Sequence, residues 1–253
     1  MRLRFSAAVL LAFSAAACSD DDGVSSNARP PLGGVRFINA VADGGPVDIR
    51  MVDQVEWSAS SVNSNSSGQY GLPFRSGTIH WATEAKARHI RVFPTDSNIT
   101  VTSTVLLDVT VPVEANKNVT LMLVGSCPDR TPPIDNCNLT FVTIDDTPPA
   151  LTGGQIAVRV VNASSTGSVP GPLNGYITAT TTSALPGTPT FANVAPLSAS
   201  PYIVRDTASF AAQATPTTGA TPLITASAPA GAPAADGIAA TAGAKGPGSA
   251  LSA

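Results

Sequence analysis

Two histidines and one glutamate lie close enough along the chain to suggest a metal site. His80 and His89 are the only histidines, and Glu84 lies between them. A catalytic zinc site uses three protein ligands of these types and leaves a fourth position open. The alternative is that these side chains are exposed polar residues on a loop and a strand. We expect the alternative, because no further cluster of acidic residues accompanies the two histidines.

Other catalytic patterns are missing from the sequence. The chain contains many serines, but none lies in a G-x-S-x-G elbow, which places a nucleophile on a strained turn. No glycine-rich phosphate loop leads into a helix either. We therefore expect a protein without catalytic activity and without a cofactor.

An acidic pair, Asp145 and Asp146, precedes a stretch that contains two prolines. Calcium prefers several hard oxygen ligands, and this pair supplies only two carboxylates. The sequence therefore favours a solvated linker over a calcium site that stiffens a junction.

Aromatic residues are concentrated in the segment from Tyr70 to Trp81, which also contains Phe74. Aromatic side chains are more often part of a core or its rim. If several were exposed together, they would form a surface that could bind a solute or a glycan. This surface is the basis of the alternative function considered below.

Residues 1–17 have the composition of an export signal. Arg2 and Arg4 are followed by an uncharged apolar stretch that ends in three alanines before Cys18. This stretch is too short to cross a hydrocarbon core of about 30 Å as a stable helix. The sequence therefore predicts a cleaved signal peptide and an exported protein.

Cys18 and the alanines before it resemble the lipobox of bacterial lipoproteins, although Ala15 stands where that motif usually has leucine. The resemblance implies cleavage before Cys18 and anchoring in a membrane through a lipid on its side chain. Ser19, which follows the cysteine, implies sorting to the outer membrane. An ordinary signal peptide, with Cys18 incidental, is the alternative.

Cys127 and Cys137 are the two remaining cysteines, and they bracket a short proline-containing loop. In an oxidising envelope, two such thiols across a loop indicate a disulfide. Free thiols are the alternative, and no histidine or further cysteine lies nearby to complete a zinc site.

The charge balance argues against nucleic acid as a partner. The chain has 14 basic and 17 acidic residues and no basic run. Residues 18–32 are polar without a hydrophobic period and predict a flexible tether. The predicted partners are the membrane, through the lipid, and an unknown envelope protein or glycan.

Alternating apolar residues predict β-strands and no helix. The clearest case is 107–113, where Leu107, Val109, Val111 and Val113 share one face. Pro112 must then lie at an edge or a bulge, because proline cannot donate to the ladder. Further strand signals predict strands at 35–40, 47–51, 89–93, 119–124 and 139–144, and correspondence with these segments predicts strands at 156–163, 172–177 and 211–216.

A segment of the first predicted strand recurs about 123 residues later. Residues 35–40 read VRFINA and residues 158–163 read VRVVNA, which indicates a domain-sized duplication. We predict a first domain at 33–146, a linker at 147–154 and a second domain at 155–253. The second copy is weaker: either it is completed by poorly hydrophobic strands such as 237–243, or it stops before its last strand.

Both copies resemble a bacterial extracytoplasmic family known as domain of unknown function 4397 (DUF4397). Residues 35–50 carry the resemblance in the first copy and 158–177 in the second, where Asn174 replaces Asp48. The resemblance implies an all-β protein with two tandem immunoglobulin-like β-sandwich domains, and it implies no known activity. We therefore expect a non-catalytic cell-envelope lipoprotein that is a structural spacer or a binding module. A solute- or glycan-binding lipoprotein is the alternative, and a metal-dependent enzyme is a further one.

Overall fold

The structure is a computed structural model that describes residues 30–53, 71–129, 134, 136–164, 171–206, 210–227 and 241–242. The chain divides into two compact units, Met1–Pro31 and Leu32–Ala253, and the strands that the structure describes lie in the second. The predicted signal peptide, Cys18 and nearly all of the predicted tether lie outside the described residues. Among the described residues, no helix is long and apolar enough to cross a membrane.

The described chain is all-β, as the sequence predicts. Its one helix, α1, is the four-residue Ile99–Thr102. The strands of the first half are β1 (Leu32–Asn39), β2 (Val47–Met51), β3 (Ser76–Gly77), β4 (Trp81–Glu84), β5 (Ala87–Pro94), β6 (Leu107–Pro112), β7 (Asn118–Ser126) and β8 (Asn138–Asp145). Those of the second half are β9 (Gln155–Val158), β10 (Val161–Asn162), β11 (Leu173–Thr178), β12 (Phe191–Val194), β13 (Ser198–Ala199), β14 (Ile203–Asp206), β15 (Ala211–Pro216), β16 (Ile224–Ser227) and β17 (Thr241–Ala242).

The first repeat, residues 32–145, is a sandwich of two sheets. In one sheet β1 pairs with β3 and β4 and, in parallel, with β7, which pairs with β8; the other sheet has the order β2-β5-β6. Alternate residues of both sheets, among them Phe37, Leu121, Ile49 and Val92, form one buried cluster between them. The predicted apolar face of β6 joins this cluster, and Pro112 lies on an edge strand, as predicted.

Strand β7 is buried on both faces, which the alternating pattern does not predict. Leu121 and Leu123 face the core between the two sheets. Met122 and Val124 point the other way, into a second cluster that contains Val161 of the second half. A strand covered on both faces has a continuous apolar sequence, and TLMLV in β7 is such a run.

The second repeat, residues 155–242, has the same strand connections. Strand β10 lies between antiparallel β13 and parallel β17, as β1 lies between β3 and β7, and β9 pairs with β14 as β1 pairs with β4. The single strand predicted for 156–163 is divided into β9 and β10. The parallel ladder of β1 covers Gly34–Asn39, whereas that of β10 covers only two residues, so the backbone between β9 and β10 has no described parallel partner.

Individual hydrogen bonds are also repeated. The side chain of Asn39 accepts from the backbone N–H of Val41 and donates to the carbonyl of Leu72. Asn162 accepts from Ser164 and donates to Val194 in the same way. These bonds hold the turn after the first strand of each repeat in one conformation.

A hydroxyl group is used identically in the two repeats. Thr78 Oγ1 accepts from the Phe37 backbone N–H at 3.0 Å, and Ser200 Oγ accepts from the Val160 N–H at 3.0 Å. Each hydroxyl then donates to the carbonyl of the residue that follows it. The division of the chain into domains at 33–146 and 155–253 stays a prediction.

Candidate functional site

Asp146, directly after β8, lies at the centre of a buried polar cluster and is only 7% exposed. Its backbone N–H donates to the carbonyl of Asn118. The expectation of a solvated linker is therefore wrong for Asp146, because both carboxylate oxygens are covered by groups from the two repeats. We call this set of residues the Asp146 junction: Arg36, His80, Thr120, Asp146, Arg159 and Tyr202.

The first repeat contributes three groups to one oxygen of Asp146. Arg36 Nη2 lies 2.6 Å from Oδ2 and His80 Nε2 lies 3.1 Å from it. The hydroxyl of Thr120 donates to Oδ2 at 2.8 Å and accepts from Arg36 Nε at 2.7 Å. Thr120 thus connects the guanidinium and the carboxylate within one sheet.

The second repeat contributes two groups to the other oxygen. Arg159 Nη2 donates to Oδ1 at 2.9 Å, and the hydroxyl of Tyr202 donates to it at 2.6 Å. The Arg159 guanidinium also lies over the Tyr202 ring, with its carbon 4.4 Å from the ring centroid, and it donates to the carbonyl of Asp145. A single carboxylate is therefore bound by both halves of the chain.

The groups on the two sides occupy equivalent positions of the repeat. Arg36 and Arg159 are the same residue of VRFINA and VRVVNA, 123 positions apart. His80 and Tyr202 each follow the repeated hydroxyl residue by two positions and directly precede β4 and β14. Each repeat thus supplies one arginine and one ring, and Asp146 lies between them.

The electrostatics of the junction keep Asp146 ionised. Burial raises the pKa of Asp146, but hydrogen bonds from His80 and Tyr202, the charge of Arg36 and the Thr120 hydroxyl outweigh it and leave the pKa well below its ordinary value. Burial and the hydrogen bond to Asp146 raise the pKa of Tyr202 far above its ordinary value. The tyrosine therefore stays a hydrogen-bond donor at physiological pH.

The arrangement suits a structural ion cluster and not a calcium site. A calcium ion needs several oxygen ligands with free lone pairs, whereas Asp146 already receives two guanidinium groups, two hydroxyls and a ring nitrogen. The two arginines would also repel a cation.

An apolar cluster shared by the two repeats adjoins the junction. Its buried members from the first repeat are Ile38, Met122, Val124 and Ile144. They pack against Val161 and Ala163 of the second repeat, with Leu197 and Ala199 at the edge of the contact. Ile38 and Ala40 are the repeat equivalents of Val161 and Ala163, so equivalent positions of the two repeats lie in the same cluster.

The three candidate metal ligands are bound to different partners. His80 faces Asp146, Glu84 pairs with Lys86 at 2.9 Å, and His89 contacts Asp108, which also accepts from Arg91 at 2.8 Å. Within the part of the chain that the structure describes, no group of three or more His, Cys, Asp or Glu side chains could hold a metal ion.

A shallow depression of ≈ 420 Å³ adjoins His80 and is lined by Gly33, Gly34, Asn118 and Lys117, among others. A Cβ on Gly34 would collide with the Asn118 side chain. Lys117 is paired with Glu114 at 2.5 Å. Leu32 and Ala82 also line the depression, which therefore combines apolar and polar groups.

The predicted ligand surface is described only in part. Trp81 begins β4 and Phe74 lies in the turn before β3, both half-buried along the same edge of the larger sheet. Arg75 stacks on the Phe74 ring at 5.0 Å. Tyr70 lies outside the described residues, so the three-residue surface stays a prediction.

Cys127 and Cys137 form a disulfide, with Cα atoms 4.1 Å apart. Cys127 is fully buried in the core of the first repeat. The carboxylate of Asp43 accepts from the Cys127 backbone N–H and from the Ser126 hydroxyl, which connects the disulfide loop to the turn after β1.

The sequence-based search missed Arg36, Arg159 and Tyr202. The two arginines did leave a signal, because a charged residue recurs at the same position of a repeated, otherwise apolar strand. Buried charges require a partner, and this recurrence points to an acidic group shared by both strands. Tyr202 left no comparable signal.

Fold and junction together define a class of protein: an all-β chain of two repeated units that share a buried ion cluster. The family model described as "Domain of unknown function (DUF4397)" matches residues 33–170, more than half of the chain, and the chain belongs to this family. The match includes every junction residue except Tyr202 and continues past the predicted domain boundary into β10. No curated protein matches the chain.

Proposed function

We propose that the chain is a non-catalytic, lipid-anchored protein of the cell envelope whose two repeats act as one rigid spacer or binding module. The observation that carries the proposal is the Asp146 junction, in which one buried carboxylate binds an arginine and a ring from each repeat. Domains joined by a short linker usually move relative to each other unless their interface is large and apolar. Here the adjoining apolar cluster and the ion cluster both oppose such movement.

The use of the charged side chains supports a structural role over catalysis. The two junction arginines pair with Asp146, the two histidines contact Asp146 and Asp108, and Asp108 also pairs with Arg91. A catalytic acid or base needs a proton that substrate can reach. Asp146 and the two junction arginines are largely buried, whereas His89 and Asp108 are exposed and connect β5 to β6.

Rigidity can be tested by measuring a distance between the repeats. Thr110 in β6 and Ala192 in β12 are both exposed strand positions. With each replaced by cysteine and spin-labelled in the detergent-solubilised full chain, pulsed electron spin resonance should give one narrow distance distribution. Asp146→Asn should broaden it, with Asp108→Asn as the matched control. A broad distribution in the parent protein would refute the rigid module.

Anchoring can be tested separately in cells. A clickable fatty acid should label the parent protein and not Cys18→Ser, and the label should follow the outer membrane on fractionation. Ser19→Asp should move the labelled protein to the inner membrane. Labelling that persists in Cys18→Ser would contradict lipidation at Cys18.

Glycan binding can be tested on an array with Trp81→Ala as the control. Binding that the substitution abolishes would assign the module to a glycan-binding class. Capture of an envelope component that is unaffected by Trp81→Ala would instead support a protein-binding spacer.

A further inference from the structure

We infer that Asn98 is an acceptor site for an N-linked glycan, transferred from a polyprenyl-pyrophosphate-linked oligosaccharide by a membrane transferase. This inference rests on the export that the proposed function includes. The triplet Asn98-Ile99-Thr100 has the Asn-x-Ser/Thr pattern that such transferases modify on exported chains. The structure separates this triplet from the other described triplets that match the same pattern, whereas Asn65-Ser66-Ser67 lies outside the described residues.

The reactive groups of the triplet are the Asn98 amide nitrogen and the Thr100 hydroxyl, and both belong to exposed residues. Asn98 and Thr100 are exposed, and Ile99 between them is 78% exposed. Asn98 Oδ1 accepts from the Thr100 backbone N–H at 2.9 Å, whereas its Nδ2 has no hydrogen-bond partner among the described residues. The amide nitrogen, which must attack the sugar, is therefore available.

The triplet projects from the loop between β5 and β6. Val101, one residue further on, is only 5% exposed and anchors the loop to the body of the sandwich. Leu32 pairs with Glu84, just before β5 begins at Ala87, whereas the loop follows the other end of β5 at Pro94. An enzyme could therefore bind residues 96–100 without disrupting a strand.

Two of the other described triplets are blocked by their hydrogen bonds. Asn162 is fully buried, and its Nδ2 donates to the carbonyl of Val194. Asn118 is exposed, but the hydroxyl of Thr120 is buried and is bonded to Arg36 and Asp146 in the junction. A transferase could use neither without unfolding the protein.

The triplet Asn138-Leu139-Thr140 is exposed at both ends but lies within a strand. Asn138 pairs with Ser126 and Thr140 with Val124 in the β7–β8 ladder, and Leu139 is buried between them. Bending this backbone into an enzyme site would break ladder hydrogen bonds. Asn98 is therefore the favoured acceptor.

The chemical step is a substitution at the first sugar. Nδ2 of Asn98 attacks the anomeric carbon, a C–N bond forms, and the C–O bond to the pyrophosphate breaks. The lipid pyrophosphate leaves with the electron pair, and the amide loses one proton. No oxidant or reductant is required.

Trypsin separates the candidate sites for a direct test. After reduction of the Cys127–Cys137 disulfide, cleavage after Arg91, Lys117 and Arg130 places Asn98 in peptide 92–117 and Asn118 in 118–130, and cleavage after Arg159 places Asn138 in 131–159. In the protein purified from membranes of the organism that encodes it, we expect peptide 92–117 to carry a hexose-containing mass increment on at least half of the molecules. We expect the other two peptides to be unmodified.

Variants made in the same organism test the assignment. Asn98→Gln and Thr100→Val should remove the increment, whereas Thr100→Ser and Asn138→Gln should retain it. A lipidated envelope protein with unmodified peptide 92–117 would overturn this inference and leave the proposed function intact. A chain that is neither lipidated nor in the envelope would overturn both.

Discussion

The two repeats share a hydrogen-bond framework but fill it with different side chains. In the first repeat Ile49 of β2 lies opposite Val92 of β5. At the equivalent place in the second repeat, Gly175 of β11 lies opposite Ala214 of β15. The gap is closed by neighbours, since a Cβ on Gly175 would come within 2.8 Å of Val160 Cγ2 and 3.2 Å of Phe191. The second repeat therefore buries smaller apolar side chains.

Polar groups replace part of the apolar core in the second repeat. Gln213 is buried, and its Nε2 donates to the Thr178 hydroxyl at 3.1 Å and to the Ser183 carbonyl at 3.0 Å. A buried hydrogen bond contributes only about 1 kcal/mol net, whereas burying a large aliphatic side chain contributes about 1.5–3 kcal/mol. The second repeat therefore keeps the same hydrogen-bond framework with smaller buried apolar side chains, because it is attached to a first repeat that has a larger apolar core.

The largest loss of stability should come from removing the Asp146 carboxylate, which both repeats share. Asp146→Ala should lower the free energy of unfolding by about 3–5 kcal/mol, because it leaves two buried arginines without a counter-ion. Urea denaturation followed by circular dichroism measures the loss. Asp108→Asn, which changes an exposed carboxylate with two partners, is the control and should have a much smaller effect. Equal losses would contradict the special role of Asp146.

Lowering the pH should weaken the attachment of the second repeat to the first, because Asp146 becomes protonated. The pKa of Asp146 is lower in the folded protein than in the unfolded chain. Its contribution is therefore fully present above the unfolded pKa of about 3.9 and is lost as the pH falls towards the lower folded pKa. The stability difference between the parent protein and Asp146→Asn should shrink as the pH falls from about 5 to below about 4. A difference that grows on acidification would contradict this sign.

Strand β7 contributes side chains to a different apolar cluster on each of its faces, and shortening one side chain on each face tests the two clusters separately. Met122→Ala and Leu121→Ala each remove a fully buried side chain and should each cost about 2–5 kcal/mol. Only Met122 faces the second repeat, so only Met122→Ala should also broaden the distance distribution between spin labels at 110 and 192. Broadening by both variants would mean that the repeats are not held by the outer face of β7.

The smallest expected losses of stability come from replacing the repeated asparagines, Asn39 and Asn162. Asn39→Ala and Asn162→Ala each remove a buried amide with the same bonds, and each should cost about 1–3 kcal/mol. Urea denaturation of both variants should give losses of similar size. A loss confined to Asn39→Ala would show that the second repeat does not rely on the shared framework.

Much of the fold could be predicted from local patterns. Period-two alternation located β6 closely, because a half-buried strand must place its apolar residues on one face. Strand and turn signals located β2, and correspondence with the first repeat located β15. The repeat of VRFINA in VRVVNA indicated the duplication, and the spacing of Cys127 and Cys137 indicated the disulfide that the structure contains.

The junction could not be predicted in the same way. Asp146 lies beside prolines and looks like part of a linker, and its burial depends on Arg36, 110 positions earlier, and Tyr202, 56 positions later. Local composition cannot show such contacts. The apolar even positions of β7, Met122 and Val124, were the one local sign that its outer face is covered.

Native-state hydrogen exchange, read by mass spectrometry, measures whether Asp146 couples the opening of the second repeat to that of the first. In the parent protein the backbone amides of β11 and β15 should exchange through an opening about as costly as that of β5 and β7, because the repeats are coupled. In Asp146→Asn the amides of β11 and β15 should exchange at least tenfold faster, while those of β5 change little. Equal acceleration in both repeats, or none in either, would contradict the claim that Asp146 stabilises the second repeat by joining it to the first.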